Sequence, residues 1–208
     1  MQIHVMACSA VALVCSGVAS AEFIRPDSAT AVSEFSSQFH IENAIDGTGM
    51  PADFGPSDTH EIYNRSNHWT TGSGAIGAGT ARATFSFNTP QTVGTFYLWN
   101  HRANRPVDNL ANSNDDYFVT DFDLILRDAV GAVLLELNNL SAVESEEVLV
   151  YGFPQTSGVV SVEFIINANG GASFTGVAEV GFDTESIPAP GSATLLIATG
   201  VAATRRRR

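Results

Sequence analysis

The chain contains no lysine, and its only two cysteines, Cys8 and Cys15, lie near the N-terminus. Both fall in a segment that we interpret below as a cleaved leader. Removal of that leader excludes a disulfide, a thiol nucleophile and a thiolate metal site from the rest of the chain. The stability of the remaining residues then depends on an apolar core, with any further help coming from a bound ion.

Positive charge is scarce as well. Residues 22–186 contain six arginines against all 22 acidic residues, which gives a net charge of −16. Such a surface repels nucleic acid and anionic lipid, and it attracts divalent cations. We therefore expect no nucleic-acid partner for this part of the chain.

The N-terminal residues have the pattern of a secretory leader. An apolar run over residues 5–18 is followed by Ala19, Ser20 and Ala21, which form an A-x-A cleavage site before Glu22. The pattern predicts a signal peptide at residues 1–21 and export through the Sec machinery. A start downstream or upstream of Met1 is left open, because the segment lacks the usual lysine or arginine.

The C-terminal residues 187–208 have the order of a sorting signal. Pro188, Pro190 and Gly191 precede an uncharged apolar run over residues 192–204, and the sequence then ends in Arg205, Arg206, Arg207 and Arg208. The run predicts a short hydrophobic helix, which falls below the ~20 residues of a membrane-spanning helix. The arginine cluster favours retention on the cytoplasmic side of a membrane.

This order resembles the PEP-CTERM sorting signal, with Ala189 where the commonest form of the motif has Glu. The resemblance implies transient membrane insertion of the tail and recognition by an exosortase. It also implies delivery to the cell surface, outer membrane or extracellular matrix of a Gram-negative-type bacterium. The alternatives are a plain membrane anchor and a basic nucleic-acid-binding tail, the second disfavoured by the acidity of the rest of the chain.

Residues 22–186 have the length of one domain, and their apolar residues alternate with polar ones. The alternation predicts strands around residues 83–87, 96–99, 122–126 and 160–166, with further strands at 132–137, 148–153 and 177–182. Turn-forming residues separate them at 88–90, 128–131, 153–154 and 169–171. No segment has a long helical period, so the pattern predicts an all-β sandwich. Residues 46–79 and 100–117 are predicted as long loops, where a β scaffold usually carries its binding surface.

Short motifs along this domain resemble discoidin-like domains, also called coagulation-factor type C domains, of the galactose-binding-like superfamily. The motif residues are, in order, Asp46-Gly47, Trp69, Trp99-Asn100 and Glu179. The resemblance implies a jelly-roll β-sandwich in which the N-terminal and C-terminal strands are neighbours. The loop over residues 48–68 is longer than is usual in that family.

The resemblance also implies a calcium ion. Neighbouring terminal strands would bring Asp46 close to Glu179, and two adjacent carboxylates repel unless a cation neutralises them. Calcium takes six to eight oxygen ligands, and the predicted further ligands are Asn43, Thr48 and Gly49. The alternative is that Asp46 only caps its turn and that Glu179 is solvated.

Two clusters of aromatic and polar residues in the predicted loops have the composition of a sugar site, which combines an aromatic face with groups that bond hydroxyls. The predicted ligand-binding residues are His68, Trp69, Trp99, Asn100, His101, Arg102 and Arg105. The alternative is that both tryptophans belong to the core, which we favour for Trp69. Arg102 is the strongest candidate for direct contact, because it is one of only six basic residues in the domain.

The sequence offers little for catalysis. Asp121 and Asp123 share one face of a predicted strand, whereas Asp115 and Asp116 would point apart. A zinc set of His60, Glu61 and His68 matches no familiar helix-borne spacing, and no nucleophile motif is present. We therefore expect a non-catalytic, exported module that binds polysaccharide with calcium assistance. The alternative is a structural surface or biofilm protein without a defined ligand, and a secreted hydrolase ranks third.

Overall fold

Alternating apolar residues build the strands of the domain. The computed structural model describes residues 22–64, 66–102 and 116–184. Its strands are β1 (Phe23–Ile24), β2 (Ser28–Ala31), β3 (Trp69–Thr70), β4 (Arg82–Asn100), β5 (Val119–Arg127), β6 (Val133–Ser141), β7 (Leu149–Asn169) and β8 (Gly176–Asp183). The only helical element in the described ranges is a 3-10 turn, Ile41–Ala44. The described part of the chain is all-β, as the sequence predicts.

Two long strands, β4 and β7, run through both layers of the fold. The first half of β4 pairs with β2 and with the second half of β7, which continues to β5 and β6. The second half of β4 pairs with β8 and with the first half of β7, and β8 also pairs with β1 and β3. All these pairings are antiparallel. The result is a β-sandwich whose layers share two strands.

The core lies between the two layers and is rich in phenylalanine. The ring centroids of Phe96 and Phe164, which belong to halves that do not pair directly, lie 5.9 Å apart. Phe85 and Phe182 meet in the same way at 6.5 Å. These rings are fully buried, and burying each one stabilises the fold by about 1.5–3 kcal/mol.

The outer face of the second layer is buried too. Tyr97 and Trp99 point away from the core, as the alternation predicts, and they pack with Phe54 and Ala178 in a separate apolar cluster. Phe54 comes from the loop between the 3-10 turn and β3. This loop therefore acts as a cover, which explains why every residue of β8 is buried.

Two predicted turns are corrected by the structure. Residues 88–90 lie inside β4, and residues 153–154 lie inside β7. Both sites coincide with shifts in the pairing register between β4 and β7, after Ser86 and between Val93 and Thr95. A register shift lets a proline, which has no backbone N–H, remain within a strand. The two prolines therefore mark irregularities within continuous strands and not the ends of strands.

The ends of the domain are neighbours. Phe23 of β1 pairs with Asp183 of β8, which agrees with the adjacency that the discoidin resemblance implies. The predicted signal peptide, the predicted C-terminal helix and the whole sorting signal lie outside the described residues. Within the described ranges, no helix is long and apolar enough to cross a membrane.

Candidate functional site

Glu179 is the most unusual charged residue of the described fold. It lies on β8 with its side chain fully buried, and strand pairing places it opposite Trp99 of β4. Its Oε2 atom accepts a hydrogen bond from the Gly47 backbone N–H at 3.2 Å. Its Oε1 atom is also buried and has no hydrogen-bond partner among the described residues. A buried carboxylate oxygen without a donor is costly and calls for a cation or a proton.

Burial and the nearby negative charge of Asp46 raise the pKa of Glu179 to about 9. The Gly47 N–H and the positive charge of Arg25 act in the opposite direction and only partly offset this. The charge of Asp46 thus acts on Glu179 across the fold. The alternative of a solvated Glu179 does not hold, because the side chain has no exposed surface.

The turn after the 3-10 helix holds the other predicted calcium ligands. Asp46 is exposed, and its Oδ1 atom accepts the Thr48 N–H at 2.7 Å, so it does cap the turn. Gly47 has a φ of 75°, a left-handed conformation that favours glycine. The carbonyl of Thr48 faces Nε2 of His60 at 3.0 Å, and that of Gly49 accepts the Glu61 N–H at 2.8 Å. The Asn43 amide donates to the carbonyls of Gln38 and His68.

These residues fit a hard cation. Two carboxylates, one of them with an unpartnered oxygen, stand beside a turn that is rich in backbone carbonyls, and calcium prefers an all-oxygen set of this kind. The fit rests on Glu179 and Asp46. No group of three or more His, Cys, Asp or Glu side chains in the described part of the chain is arranged to hold a metal.

Both predicted ligand-binding tryptophans serve the core. Trp69 is fully buried, and its Nε1–H donates to the Ser33 carbonyl at 3.1 Å. Trp99 is 2% exposed, its ring packs against Phe54 and Phe23, and its Nε1–H donates to the Asp58 carbonyl at 2.8 Å. Neither ring has a free face for a ligand. The core interpretation holds for Trp69, and it applies to Trp99 as well.

Asn100, another predicted ligand residue, is committed to the fold. Its amide donates to the carbonyls of Val119 and Val143, both at 2.8 Å. Its Oδ1 atom accepts the N–H groups of Val119 and His101, both at 2.9 Å. This side chain clamps the end of β4 to the start of β5, and no bonding position is left for a ligand.

The predicted histidines lie beneath the loops rather than at their surface. His60, His68 and His101 form a row in which neighbouring ring centroids lie 5.0–5.1 Å apart. Desolvation lowers the pKa of His68 well below its usual value, and the charges of His101, His60 and Arg102 act in the same direction. His68 Nδ1 lies 2.7 Å from Oδ1 of Asn67, so Nδ1 carries the proton and the buried Nε2 is left without a partner among the described residues.

Arg102 remains within reach of a ligand. Its side chain is 21% exposed and pairs with Glu146 at 3.0 Å, and its backbone carbonyl accepts the Tyr63 N–H. Arg105 lies outside the described residues. Of the predicted ligand-binding residues, Arg102 is therefore the one whose side chain the described structure leaves partly exposed, and its backbone is hydrogen-bonded to Tyr63, which lines a pocket.

That pocket is bounded by a closed circle of six side-chain rings that sequence reasoning missed. Neighbouring ring centroids lie 5.1–6.0 Å apart all the way round, through Phe35, Phe39, Tyr63, His101, Tyr117 and Phe174. We define the aromatic pocket as the cavity lined by Phe35, Phe39, Tyr63, Thr70, Tyr117 and Phe174. Its volume is about 70 Å³.

The side chains of the aromatic pocket range from exposed to fully buried. Phe35 is 54% exposed, which is unusual for a large apolar side chain, whereas Phe39 beside it is buried. Thr70 is buried, and its Oγ1 atom has no hydrogen-bond partner among the described residues. A largely aromatic lining with a few polar groups is a feature that this small cavity shares with ligand sites. Two phenylalanines at residues 35 and 39 are a sequence signal for an aromatic cluster. The rings that they contact, Tyr63 and Phe174, lie far away in the sequence.

Comparison with known proteins finds similarity in structure alone: no protein-family profile and no curated protein matches the chain. Among solved structures, truncated AlyQ with a family 32 carbohydrate-binding module and alginate lyase domains has a TM-score of 0.55 and 18% identity. The match covers 84% of this chain but only 36% of that one.

Two isolated binding domains match over nearly their whole length. The lectin domain of lectinolysin, complexed with Lewis B antigen, has a TM-score of 0.54 and 15% identity over 78% of this chain and 95% of its own. The family 32 carbohydrate-binding module of Clostridium perfringens NanJ, in complex with galactose, has a TM-score of 0.52 and 13% identity over 78% and 99%. The described chain therefore has the galactose-binding-like β-sandwich fold that its sequence motifs predict.

Proposed function

We propose that this protein is an exported glycan-binding module without catalytic activity, that the aromatic pocket is its ligand site, and that Arg102 is a further contact residue. The single observation that carries the proposal is the closed circle of aromatic side chains around a cavity. Aromatic faces bind the apolar faces of sugars, and a nearby guanidinium bonds their hydroxyls or carboxylates. The match to solved sugar-binding modules supports the same class of ligand.

The test is a binding screen of the purified protein against a glycan array and against bacterial matrix polysaccharides. We expect binding to a defined glycan that falls at least several-fold in Phe35→Ala and in Arg102→Ala. Phe35 is half exposed, so its truncation should leave the fold intact. Val130→Ala, at an 87% exposed position in the β5–β6 turn, is the matched control. Absence of any glycan binding would favour the structural surface protein instead.

We further propose that calcium occupies the turn at Asp46 and Glu179 and supports the fold beside the ligand loops. When bound, calcium would supply positive charge to a carboxylate that the fold buries. Asp46 and Glu179 would hold it, with Asn43, Thr48 and Gly49 as the further oxygen donors. The orphaned Glu179 oxygen and the raised pKa of that carboxyl support the assignment.

The calcium proposal predicts a rise in melting temperature when calcium replaces chelator, since a ligand that binds only the folded state stabilises it. The rise should vanish in Glu179→Gln and in Asp46→Asn, and it should persist in the control Glu136→Gln at an exposed position on β6. Because calcium must displace a proton from Glu179, its affinity should increase between pH 7 and 9. An equal rise in all four proteins would refute the site.

The sorting of the protein is a separate proposal that rests on the sequence of residues 187–208. We propose that an exosortase recognises Pro188, Pro190 and Gly191, and that the arginine cluster holds the tail at the membrane until it is processed. Deletion of residues 187–208 should abolish surface delivery while leaving the folded domain intact. Normal surface delivery of the truncated protein would refute this proposal.

A further inference from the structure

The size of the aromatic pocket limits what can enter it. Protein cavities of about 150 Å³ accept a benzene ring, and this pocket has about half that volume. A pyranose ring is larger than benzene, so the pocket is too small to enclose a whole sugar ring. The pocket can take one substituent of a sugar, while the ring itself rests on the rim, where Phe35 is exposed.

The lining of the pocket decides which substituent is favoured. Among the described residues that line it, five of the six side chains are aromatic and none is charged. A hydroxymethyl group that entered would lose its bonds to water, and among the described lining residues only Thr70 and the two tyrosines carry hydroxyl groups that could replace them. Leaving a hydroxyl unpaired in an apolar site costs about 1–3 kcal/mol, whereas a methyl group loses nothing.

We propose that the aromatic pocket selects sugars that carry a methyl group. This inference rests on the proposed glycan-binding function and names the substrate class of the same site. The methyl can belong to a 6-deoxyhexose or to an acetyl group on the sugar. The two sources differ in one respect: an acetyl group brings a carbonyl that can accept a hydrogen bond from the Thr70 hydroxyl, whose oxygen has no partner among the described residues.

The test compares sugars in matched pairs by titration calorimetry at millimolar concentration. D-fucose and D-galactose differ only at C6, and N-acetylglucosamine and glucose differ by the acetamido group. We expect the methyl-bearing member of at least one pair to bind about tenfold more tightly, the usual effect of one methyl in an apolar pocket. Equal binding within both pairs would overturn this inference and leave glycan binding intact. Absence of binding to all four sugars and to the glycan screen would overturn both.

Variants show whether the preference arises in this pocket. Phe174→Ala should remove the difference within the pair, because it opens one side of the circle, whereas the control Val133→Ala at an exposed position on β6 should preserve it. A preference that survives Phe174→Ala in a folded protein would overturn the assignment. Thr70→Val then separates the two sources. It should weaken an acetylated sugar several-fold and leave a 6-deoxyhexose unchanged.

Discussion

Two buried polar side chains stand near each other in the second layer and have opposite environments. Asn100, at the end of β4, uses both amide hydrogens and accepts two backbone N–H groups. Glu179, on the neighbouring strand β8, has one oxygen bonded to Gly47 and one with no partner in the described structure. A saturated group is part of the architecture, whereas an unsaturated one marks a place that another species can complete.

The largest effect on stability should follow from removing Asn100, the side chain whose hydrogen bonds are all satisfied. Asn100→Ala leaves the carbonyls of Val119 and Val143 and the N–H groups of Val119 and His101 without their partner. We expect the free energy of unfolding to fall by about 3–5 kcal/mol, measured by urea denaturation in chelator. Asn138→Ala, at an exposed position on β6, should change it by less than about 0.5 kcal/mol. A loss in Asn100→Ala as small as that of the control would contradict the clamp.

Substitution of Glu179, which has an oxygen without a partner among the described residues, should instead raise the free energy of unfolding. Because the pKa of Glu179 is raised to about 9 from an ordinary 4.5, its contribution to stability is full below pH 4.5 and is lost as the pH rises towards 9. Glu179→Gln keeps the shape and removes the ionisation. In chelator at pH 8 we expect it to raise the free energy of unfolding by about 2–4 kcal/mol. At pH 4.5 the two proteins should be nearly equal, and destabilisation by the substitution at pH 8 would contradict the buried carboxyl.

A smaller effect is expected at acid pH from the histidine row. The pKa of His68 lies well below its ordinary 6.5, so the stability that this neutral ring contributes is present above pH 6.5 and is lost as the pH falls. We expect the melting temperature of the wild type to decline by several degrees between pH 6.5 and 5. His68→Leu should show a shallower decline over the same range. Parallel curves for the two proteins would assign the acid sensitivity to other groups.

The sequence predicted the strands well because period-two alternation depends only on local order. The residues around Val162 and Leu124 alternate cleanly, and each lies in a strand with the predicted face buried. The prediction of turns at Pro90 and Pro154 was wrong. Proline is compatible both with a bulge in a long strand and with a turn between two strands, so the local sequence does not distinguish them. Tertiary pairing decides between them.

The candidate sites also divide into one that the sequence could predict and one that depends on tertiary structure. Asp46 and Glu179 could be linked from sequence, since the motif resemblance supplied the topology that joins the first turn to the last strand. The aromatic pocket could not, because Phe35, Tyr63, Tyr117 and Phe174 come from four separate segments whose meeting depends on loop paths. Trp99 and Asn100 were chosen for their chemistry, but burial reassigns them to the fold.

The path of β8 also determines how the domain is displayed. Its first residue, Gly176, pairs with Thr70 beside the aromatic pocket, and its last, Asp183, pairs with Phe23 at the N-terminal edge. A strand of this length spans about 25 Å. Residues 23 and 183 therefore lie at the end of β8 opposite the pocket. Under the proposed sorting, attachment beyond residue 184 would place the aromatic pocket at the far end of β8 from the point of attachment.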